Sequence, residues 1–503
     1  MVICVLVTIS ILILAGFDNT KYSKDPEPLV EMYCGSCHQV PRPSDLPRYI
    51  WSQTILPAMG SYHGVEADGF GTLKRMNPET LAEVEELKLY PASQIIPEQN
   101  WQAIKDYYLN NAPEQIDIDH SRRRRHRTLR SFEQQDINLL SLPGSLITAL
   151  HYNDDQERLW VGEDRMMSYS WDFNQLKVGD KTNTRSTVAH IAFHQDTTYL
   201  IEIGSLVPSS RVNGSISIIT SNNKPKTIIE NLHRPVHALV EDIDSDGKTE
   251  IVVSSFGRYS GRLSIFYMDE GELKEKVLLR QSGAVKCYAV DMNGDGKKDL
   301  VALFAQGDES IYIFYQQEKL TFKKERILRF NPLYGSSDFA LTDYDQDGDH
   351  DLVIAQGDNA DLSLTPKPYH GIRLFINENN SWSEAFFFPL YGATKVIAED
   401  FDQDGDLDLA ATAFYQEYDE LPDEGLVYLE NINASQFEFR SYVLKRKDPI
   451  RSYTLEKGDI DQDGDMDIIV GLFSSTITQV PPSLREQWHR AKYDITVLLN
   501  KLK

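Results

Sequence analysis

The chain has 503 residues and a formal net charge of −25, from 51 Lys and Arg against 76 Asp and Glu. Hydrophobic residues make up 41% of the chain and aromatic residues 10%, which is typical of a folded protein and not of a disordered one. The acidic balance argues against nucleic acid or an anionic membrane surface as the main partner. The length is sufficient for more than one domain.

The N-terminal segment, residues 1–20, begins with the uncharged apolar run "MVICVLVTISILILAGF". Its length fits the core of a signal peptide and is slightly short for a membrane-spanning helix. We therefore expect export to the periplasm or cell surface, with membrane contact only through this segment. The sequence leaves open whether the segment is cleaved or kept as an anchor.

The stretch "YCGSCHQV" contains Cys34, Cys37 and His38 in the C-x-x-C-H pattern of c-type haem attachment. Two thiols one helical turn apart can add to the two vinyl groups of a porphyrin, and the adjacent imidazole can bind the iron. A redox C-x-x-C or a zinc site is the alternative, but the chain has no second C-x-x-C and no surrounding βαβ pattern. We expect one covalent haem c.

The surrounding residues, 24–116, predict a small all-α haem domain. The segment "PEPLVEMYCGSCH" favours a helix that enters the haem site. In "PEQNWQAIKDYYLNNAPE" the residues Trp101, Ile104 and Tyr108 are spaced i, i+3, i+7, as on the buried face of a helix.

A sixth iron ligand is expected from the stretch between these helices, because a thioether raises the reduction potential whereas an imidazole lowers it. The region resembles the cytochrome c domains of bacterial multidomain proteins, in which "W…LPxMG" follows the haem motif; here it reads "WSQTILPAMG". The resemblance implies Met59 as the distal ligand, with His63 and Met76 as alternatives.

Five nine-residue acidic loops occupy 242–250, 291–299, 343–351, 400–408 and 459–467. Each follows an alternating strand pattern and precedes a short apolar run, which predicts the four-stranded blades of a repeat array. Two degenerate units at 146–164 and 186–205 bring the number to seven, and six or eight blades are the alternatives. We therefore predict a mainly β protein, with a seven-bladed β-propeller over 134–503 that is closed by pairing its last strand with an early one such as "INLLSL". Cys287 aligns with core positions of the other blades.

The acidic loops place oxygen-bearing side chains at positions 1, 3, 5 and 9, with Gly at position 6 for the turn. Several hard oxygen ligands around one point suit calcium, and the loops lack the length and following helix of an EF-hand. About five bound Ca²⁺ ions would reduce the net charge to about −15. The expected ligands are Asp242, Asp244, Asp246, Glu250, Asp291, Asn293, Asp295, Asp299, Asp343, Asp345, Asp347, Asp351, Asp400, Asp402, Asp404, Asp408, Asp459, Asp461, Asp463 and Asp467.

These loops and their flanks resemble the FG-GAP/VCBS repeats of integrin α-subunit propellers and of many exported bacterial proteins. The resemblance implies one structural calcium per motif-bearing blade. Between the two regions lies a basic linker, 117–133, with the run "DHSRRRRHRTLR". We expect it to be a solvated linker or a strap on the acidic propeller, with docking of an anionic partner as the alternative.

The loops between second and third strands should open on the face opposite the calcium loops, and they carry the insertions. Candidate recognition residues there are Arg258, Tyr259, Tyr369, His370, Tyr415, Tyr418, Trp488 and His489. The leading hypothesis is a haem electron-transfer protein that meets a redox partner protein and whose propeller binds a protein or glycan. A propeller-based dehydrogenase or polysaccharide lyase, or an adhesion module, is the alternative. No acid/base or nucleophile constellation is visible, which favours a carrier and binding protein over an enzyme.

Overall fold

The computed structural model describes residues 26–65, 76–119, 126–219, 224–358, 365–446, 450–475 and 480–502. The predicted export segment and the arginines at 122–125 lie outside these residues. Within them, no helix is both long enough and apolar enough to cross a membrane.

The N-terminal part is helical. The helices are α1 (Glu27–Tyr33), α2 (Arg48–Ile50), α3 (Leu56–Tyr62), α4 (Pro78–Glu86) and α5 (Glu98–Asn111), with a 3₁₀ turn at Pro43–Asp45. A π-helical turn, Trp51–Ile55, joins α2 to α3. Pro57 explains the wider turn, because proline has no N–H and its ring crowds the carbonyl one turn earlier.

The apolar stripe predicted for the last of these helices is confirmed. Trp101, Ile104 and Tyr108 are all buried on α5, and they form one core with Trp51 of the π-helical turn. The Trp51 indole N–H donates to the Pro43 carbonyl at 2.9 Å, and the Tyr108 hydroxyl donates to the Pro41 carbonyl at 2.9 Å. The helical region therefore has a hydrophobic core of its own.

The rest of the described chain forms seven sheets, so the predicted seven-bladed propeller is confirmed. The strands are β1 (Arg127–Thr128), β2 (Phe132–Ile137), β3 (Ile147–Asn153), β4 (Arg158–Glu163), β5 (Met167–Asp172), β6 (Lys177–Asn183), β7 (Val188–His194), β8 (Thr197–Glu202), β9 (Gly214–Ile219), β10 (Lys226–Leu232), β11 (Pro235–Glu241), β12 (Glu250–Ser255), β13 (Arg262–Asp269), β14 (Glu272–Leu279), β15 (Ala284–Val290), β16 (Asp299–Phe304), β17 (Ser310–Gln316), β18 (Phe322–Arg329), β19 (Ser336–Thr342), β20 (Asp351–Gln356), β21 (Gly371–Glu378), β22 (Ser381–Pro389), β23 (Ala393–Glu399), β24 (Asp408–Ala413), β25 (Leu426–Asn433), β26 (Glu438–Val443), β27 (Ser452–Gly458), β28 (Asp467–Leu472) and β29 (Ile495–Asn500). Helix α6 (Pro482–Arg490) lies between β28 and β29.

The second strand of each blade with an acidic loop is buried along its whole length, as in β16 and β20. Neighbouring blades cover both of its faces, which is why these strands read as continuous apolar runs. The fourth strands, such as β14, are largely exposed or half-buried because they form the rim. Cys287 is 1% exposed within the core, as expected from its alignment, and burial raises the pKa of its thiol.

The ring closes by pairing an N-terminal strand with the C-terminal one, but the predicted strand was wrong. The closing strand is β2, Phe132–Ile137, which pairs antiparallel with β29. "INLLSL" shares only its first residue, Ile137, with this strand. Polar residues fill the middle of β2 because it is the exposed outer strand of its blade. The propeller therefore begins before the predicted boundary at 134.

The end of the basic linker is part of the propeller, which agrees with the strap interpretation. Arg127–Thr128 pairs in parallel with β26 and adds a fifth strand to the sixth blade. Leu129 is buried beside Phe132, and the His126 Nε2 lies 2.9 Å from the Glu424 Oε1.

The helical region packs against the face of the ring opposite the acidic loops, here called the far face. The Asn331 amide donates to the Asp45 carboxylate at 3.0 Å, and the Tyr369 hydroxyl donates to the Asp45 carbonyl at 3.0 Å. On α4, Thr80 accepts a hydrogen bond from Ser210 at 3.2 Å. Leu333 of the propeller packs against the helical core. The far-face loops thus contact the chain's own helices.

Candidate calcium loops and haem attachment motif

All five acidic loops connect the first and second strands of a blade, so they share one face of the ring, here called the calcium face. In each loop the Gly at position 6 has a positive φ, for example 98° at Gly348 and 95° at Gly464. The residue at position 4 is also left-handed, with φ of 61° at Gln346 and 56° at Gln403. The turn at the position-6 glycine was predicted from the sequence, and the left-handed conformation at position 4 was not.

The position-1 carboxylate organises each loop from within. In the fourth loop, Asp400 accepts from the backbone N–H groups of Asp404 and Gly405 at 3.1 and 3.0 Å. In the first loop, Asp242 accepts from Asp246 and Gly247 at 3.1 and 2.9 Å. These bonds fold the loop around one point and hold the acidic side chains together.

Four of the five loops bring three carboxylates together, with oxygens within 4.8 Å of one another among the described residues. The groups are Asp242, Asp244, Asp246; Asp343, Asp345, Asp347; Asp400, Asp402, Asp404; and Asp459, Asp461, Asp467. In the second loop Asn293 replaces a carboxylate, and its amide oxygen accepts from the Asp295 N–H at 2.9 Å.

Unpaired oxygens show that the loops fit a cation. The Oδ1 atoms of Asp244 and Asp343 are buried and have no hydrogen-bond partner. A buried carboxylate oxygen without a partner is costly, and a cation would satisfy it. The clustered hard oxygens are those that calcium prefers, so the residues present fit Ca²⁺. All of the expected calcium ligands stay predictions.

The position-9 acids have a second role, as clamps between strands. Asp351 accepts from the Tyr344 N–H and from the Asn377 N–H, both at 2.8 Å. Asp467 accepts in the same way from Ile460 at 2.8 Å and Asn500 at 2.7 Å. The four aspartates at this position, Asp299, Asp351, Asp408 and Asp467, are all 0% exposed. Asp299, Asp351 and Asp467 therefore join their own loops to the third strands of their blades. Asp408 instead accepts twice from the third strand, from the Asn431 N–H at 2.7 Å and the Tyr428 hydroxyl at 2.6 Å.

Glu250 is the one glutamate at position 9, and its carboxylate accepts a backbone hydrogen bond only from its own loop. Its carboxylate accepts from the Ile243 N–H at 2.9 Å. Burial, reinforced by the neighbouring aspartates, raises the pKa of Glu250 to about 7, and burial raises the pKa values of Asp408 and Asp467 to about 7 as well. Bound cations would favour the ionised forms.

Neighbouring calcium loops are tied to each other by the side chain at position 4. The Gln346 amide donates to the Gly405 carbonyl at 2.5 Å, and the Gln403 amide donates to the Gly464 carbonyl at 3.0 Å. The Tyr344 hydroxyl donates to the Leu407 carbonyl at 2.5 Å. The third, fourth and fifth loops thus form a continuous row on the calcium face.

The C-x-x-C-H motif lies at the C-terminal end of α1. Cys34 is half-buried against the helical core, and Cys37 is exposed. The His38 Nδ1 lies 2.8 Å from the Gln39 carbonyl oxygen. A bond to this carbonyl fixes the Nδ1–H tautomer and leaves Nε2 as the nitrogen that can bind a metal. The residues present fit covalent haem attachment.

Two distal-ligand candidates lie in or next to α3. Met59 is half-buried and packs against the same core as Cys34. His63 caps the end of α3, and its ring centroid is 5.8 Å from that of Tyr33. The His63 Nδ1 is buried without a partner, and burial lowers the pKa of its ring. Met76 is half-buried just before α4.

The far-face candidates divide into three groups. Arg258 and Tyr369 contact the helical region: the Arg258 guanidinium donates to Thr80 at 3.4 Å, and Tyr369 donates to Asp45. Tyr259 follows Arg258 and lies under its guanidinium, 5.3 Å from the ring centroid.

Three other candidates are buried: His370 is 1% exposed, Tyr418 9% and Trp488 4%. Tyr418 and Trp488 pack against each other at 5.3 Å, beside the Arg451 guanidinium. These three residues stabilise loops and do not form a recognition surface. Tyr415 is half-buried, and His489 is exposed.

Comparisons with known proteins agree with the repeat pattern. A family model for the FG-GAP-like repeat matches residues 242–302 and 291–354. A comparison with curated protein sequences finds no match.

Among solved structures, the chain is similar to the WD40 domain of Neurospora crassa Pan2 (13% identity, TM-score 0.44, covering 75% of this chain and 98% of that chain). It is also similar to the WD40 repeats of RRP9 (11% identity, TM-score 0.47, covering 73% and 99%) and to the N-terminal domain of Nup159 (9% identity, TM-score 0.43, covering 74% and 96%). The chain is a seven-bladed β-propeller that carries FG-GAP-like repeats.

Proposed function

We propose that this protein is an exported c-type haem electron carrier, and that its calcium-stabilised propeller is the scaffold that positions the haem region for its partners. The observation that carries the proposal is the arrangement around α1. Cys34, Cys37 and His38 stand at the end of that helix, and the core beneath Cys34 also holds Met59. A redox dithiol needs no further ligand nearby, whereas the iron of an electron-carrying haem takes a sixth ligand.

In this proposal, Cys34 and Cys37 hold the haem by thioether bonds and His38 binds the iron through Nε2. The bound haem supplies one-electron redox chemistry. Met59 would be the sixth ligand of the iron and would close it to small molecules, and His63 is the alternative. The rings of Tyr33 and Trp101 lie beside His63, with centroids 5.8 and 6.4 Å from its ring, and would shield a haem bound in this region from water.

The propeller is a scaffold because its far-face loops hold the helical region. Contacts from Asn331, Tyr369 and Ser210 fix the orientation of the helices on the ring. A redox partner protein then meets the haem region in a defined position, and the calcium loops keep the opposite face of the ring rigid. The far-face surface of α6, where His489 is exposed, is the place for a further protein or glycan ligand.

The test is the visible spectrum of protein produced in a host that matures c-type cytochromes. We expect a c-type α-band after reduction, and a charge-transfer band of Met–iron ligation at the red end of the oxidised spectrum. Met59→Ala should abolish the second band and keep the first, while Met32→Ala, a change at an exposed methionine on α1, should alter neither. Protein that folds without any haem band would contradict the proposal.

If His63→Ala and not Met59→Ala changes the spectrum, the ligand assignment is wrong and the haem proposal stands. The two readouts therefore separate attachment from distal ligation.

A further inference from the structure

The fourth acidic loop is linked to the fifth through the backbone of Gly464. The Gln403 amide donates to the Gly464 carbonyl at 3.0 Å, and the Gly464 N–H donates to the Asp459 carboxylate of its own loop at 3.1 Å. Gln403 itself stands between Asp402 and Asp404, two of the three clustered acids of the fourth loop. One chain of contacts therefore connects the acidic clusters of two blades.

The third loop is linked to the fourth in the same way. Gln346 stands between Asp345 and Asp347, and its amide donates to the Gly405 carbonyl at 2.5 Å. The Gly405 N–H donates to the Asp400 carboxylate at 3.0 Å. The link from position 4 to position 6 thus recurs in two successive pairs of blades. The first two loops have a serine and a glycine at position 4, and these residues lack the amide.

A second link joins the same pairs of loops at positions 2 and 8. The Tyr344 hydroxyl, at position 2 of the third loop, donates to the Leu407 carbonyl at position 8 of the fourth loop at 2.5 Å. Between the fourth and fifth loops, the Asn500 amide donates to the carbonyls of Phe401 and Met466 at 2.6 and 3.2 Å. Phe401 and Met466 occupy positions 2 and 8 of their loops. Because Tyr344 and Asn500 are both buried, these bonds hold the three loops in fixed relative positions.

A bound cation would stabilise the backbone conformation at position 4. The glutamines there have a left-handed backbone, with φ of 61° at Gln346 and 56° at Gln403, which is unfavourable for a residue with a side chain. Without a cation, the flanking carboxylates repel each other across the same turn. A cation between them would remove the repulsion and favour the turn that directs the amide to the next loop. Filling one loop would therefore favour the folded arrangement of its neighbour.

We propose that the third, fourth and fifth loops bind Ca²⁺ cooperatively, because the links carry the ordering of one loop to the next. The inference rests on the calcium sites of the proposed function and adds how those sites act together. By reciprocity, each loop raises the calcium affinity of its neighbour by the factor by which the neighbour raises its own. One net hydrogen bond corresponds to a factor of about 2 to 10 in affinity. The calcium face then becomes ordered over a narrower range of calcium concentration than independent sites would give.

The experiment is a calorimetric calcium titration of the calcium-depleted full chain, in a background that keeps only the fourth and fifth sites. Asp244→Ala, Asp295→Ala and Asp345→Ala disable the other three sites. Adding Asp402→Ala then leaves only the fifth site, and adding Asp461→Ala instead leaves only the fourth. The coupling factor is the ratio of the overall two-site binding constant to the product of the two single-site constants.

We expect a coupling factor of about 2 to 10 with Gln403 present, and a factor smaller by about twofold or more after Gln403→Ala. The matched control is Gln462→Ala, a change at the position-4 glutamine of the fifth loop, which has the same left-handed backbone with φ of 60°. Among the described residues, Gln462 makes no hydrogen bond to the fourth loop. The coupling factor should therefore stay unchanged in this control, even where the fifth site itself becomes weaker.

A coupling factor of one with Gln403 present, or an equal factor after Gln403→Ala, would overturn the proposal. Gln346→Ala, measured between the third and fourth sites in the same manner, repeats the test on another pair of blades. An unchanged factor there would also overturn it. Wild-type protein that takes up no calcium would instead overturn the calcium sites themselves, so the two failures are distinguishable.

Discussion

Two acids of the third calcium loop should behave differently when each is changed to alanine. Asp351 at position 9 is 0% exposed and accepts from two backbone N–H groups, those of Tyr344 and Asn377. Asp345 at position 3 is exposed, and its one backbone bond, from the Asp347 N–H, is 3.3 Å long. Asp351 is a clamp between strands, and Asp345 is a proposed calcium ligand.

The structure gives the size of each effect. In calcium-free protein, Asp351→Ala leaves two buried donors without acceptors, at ~1–3 kcal/mol each, so the free energy of unfolding should fall by about 2–6 kcal/mol. Asp345→Ala removes one weak exposed bond and should cost less than about 0.5 kcal/mol. With calcium, Asp345→Ala should lose that site's share of the stabilisation, about 2.7 kcal/mol when free calcium is about 100 times Kd.

The assay is urea unfolding of both variants and the wild type, in EDTA and in excess calcium, read on the first transition. The free energies of unfolding of the two variants should differ strongly in EDTA. Calcium should stabilise Asp345→Ala less than it stabilises Asp351→Ala. Equal losses in EDTA would refute the distinction between clamp and ligand. An unchanged calcium response in Asp345→Ala would refute the calcium site.

Three other predictions concern pH, the row of loops and the contact between the two regions. Burial raises the pKa values of Asp408 and Asp467 to about 7, so the folded chain keeps protons that the unfolded chain loses. The free energy of unfolding in EDTA should therefore fall as pH rises from about 5 to about 8. Excess calcium should remove that fall. Gln403→Ala removes the bond to the next loop and should lower stability by about 1 kcal/mol in urea unfolding, whereas no loss would contradict the coupling. Asn331→Ala with Tyr369→Phe removes two bonds to the Pro43–Asp45 turn and should speed hydrogen exchange there about tenfold, while Arg211→Ala on an exposed ion pair should not.

Much of the ring could be predicted because each blade repeats one local pattern. The alternation before each acidic loop and the apolar run after it reflect burial against neighbouring blades, and that burial is confirmed in β16 and β20. The closing strand was missed because β2 is an exposed outer strand, whose polar residues Glu133 to Asp136 resemble a linker. "INLLSL" is more apolar, but its residues lie beyond the strand.

The clamps and the contacts between loops could not be predicted, since they join residues far apart in the chain. Asp351 looks like a fourth ligand in the sequence, and only the distance to Asn377 shows its second role. In the sequence, Tyr418 and Trp488 look like surface aromatic residues in long loops. In the structure they pack against each other and beside Arg451 in a buried cluster. The position-4 glutamine could have been noticed, because it occurs in three loops in a tight turn.

The docking of the helices on the far face was also invisible in the sequence. It depends on single polar groups at loop tips, such as Asn331 and Ser210, with no periodic pattern. The prediction that these loops lie opposite the acidic loops is confirmed, but several of them contact the chain's own helices.

The most direct test of the account is the intact mass of the protein after production in a host that matures c-type cytochromes. We predict an increase by the mass of one haem, which stays attached under denaturing conditions and maps to the peptide containing Cys34 and Cys37. Cys37→Ala should reduce the attachment to one thioether bond, and the double change with Cys34→Ala should abolish it. An unmodified mass in folded, calcium-binding protein would contradict the central claim.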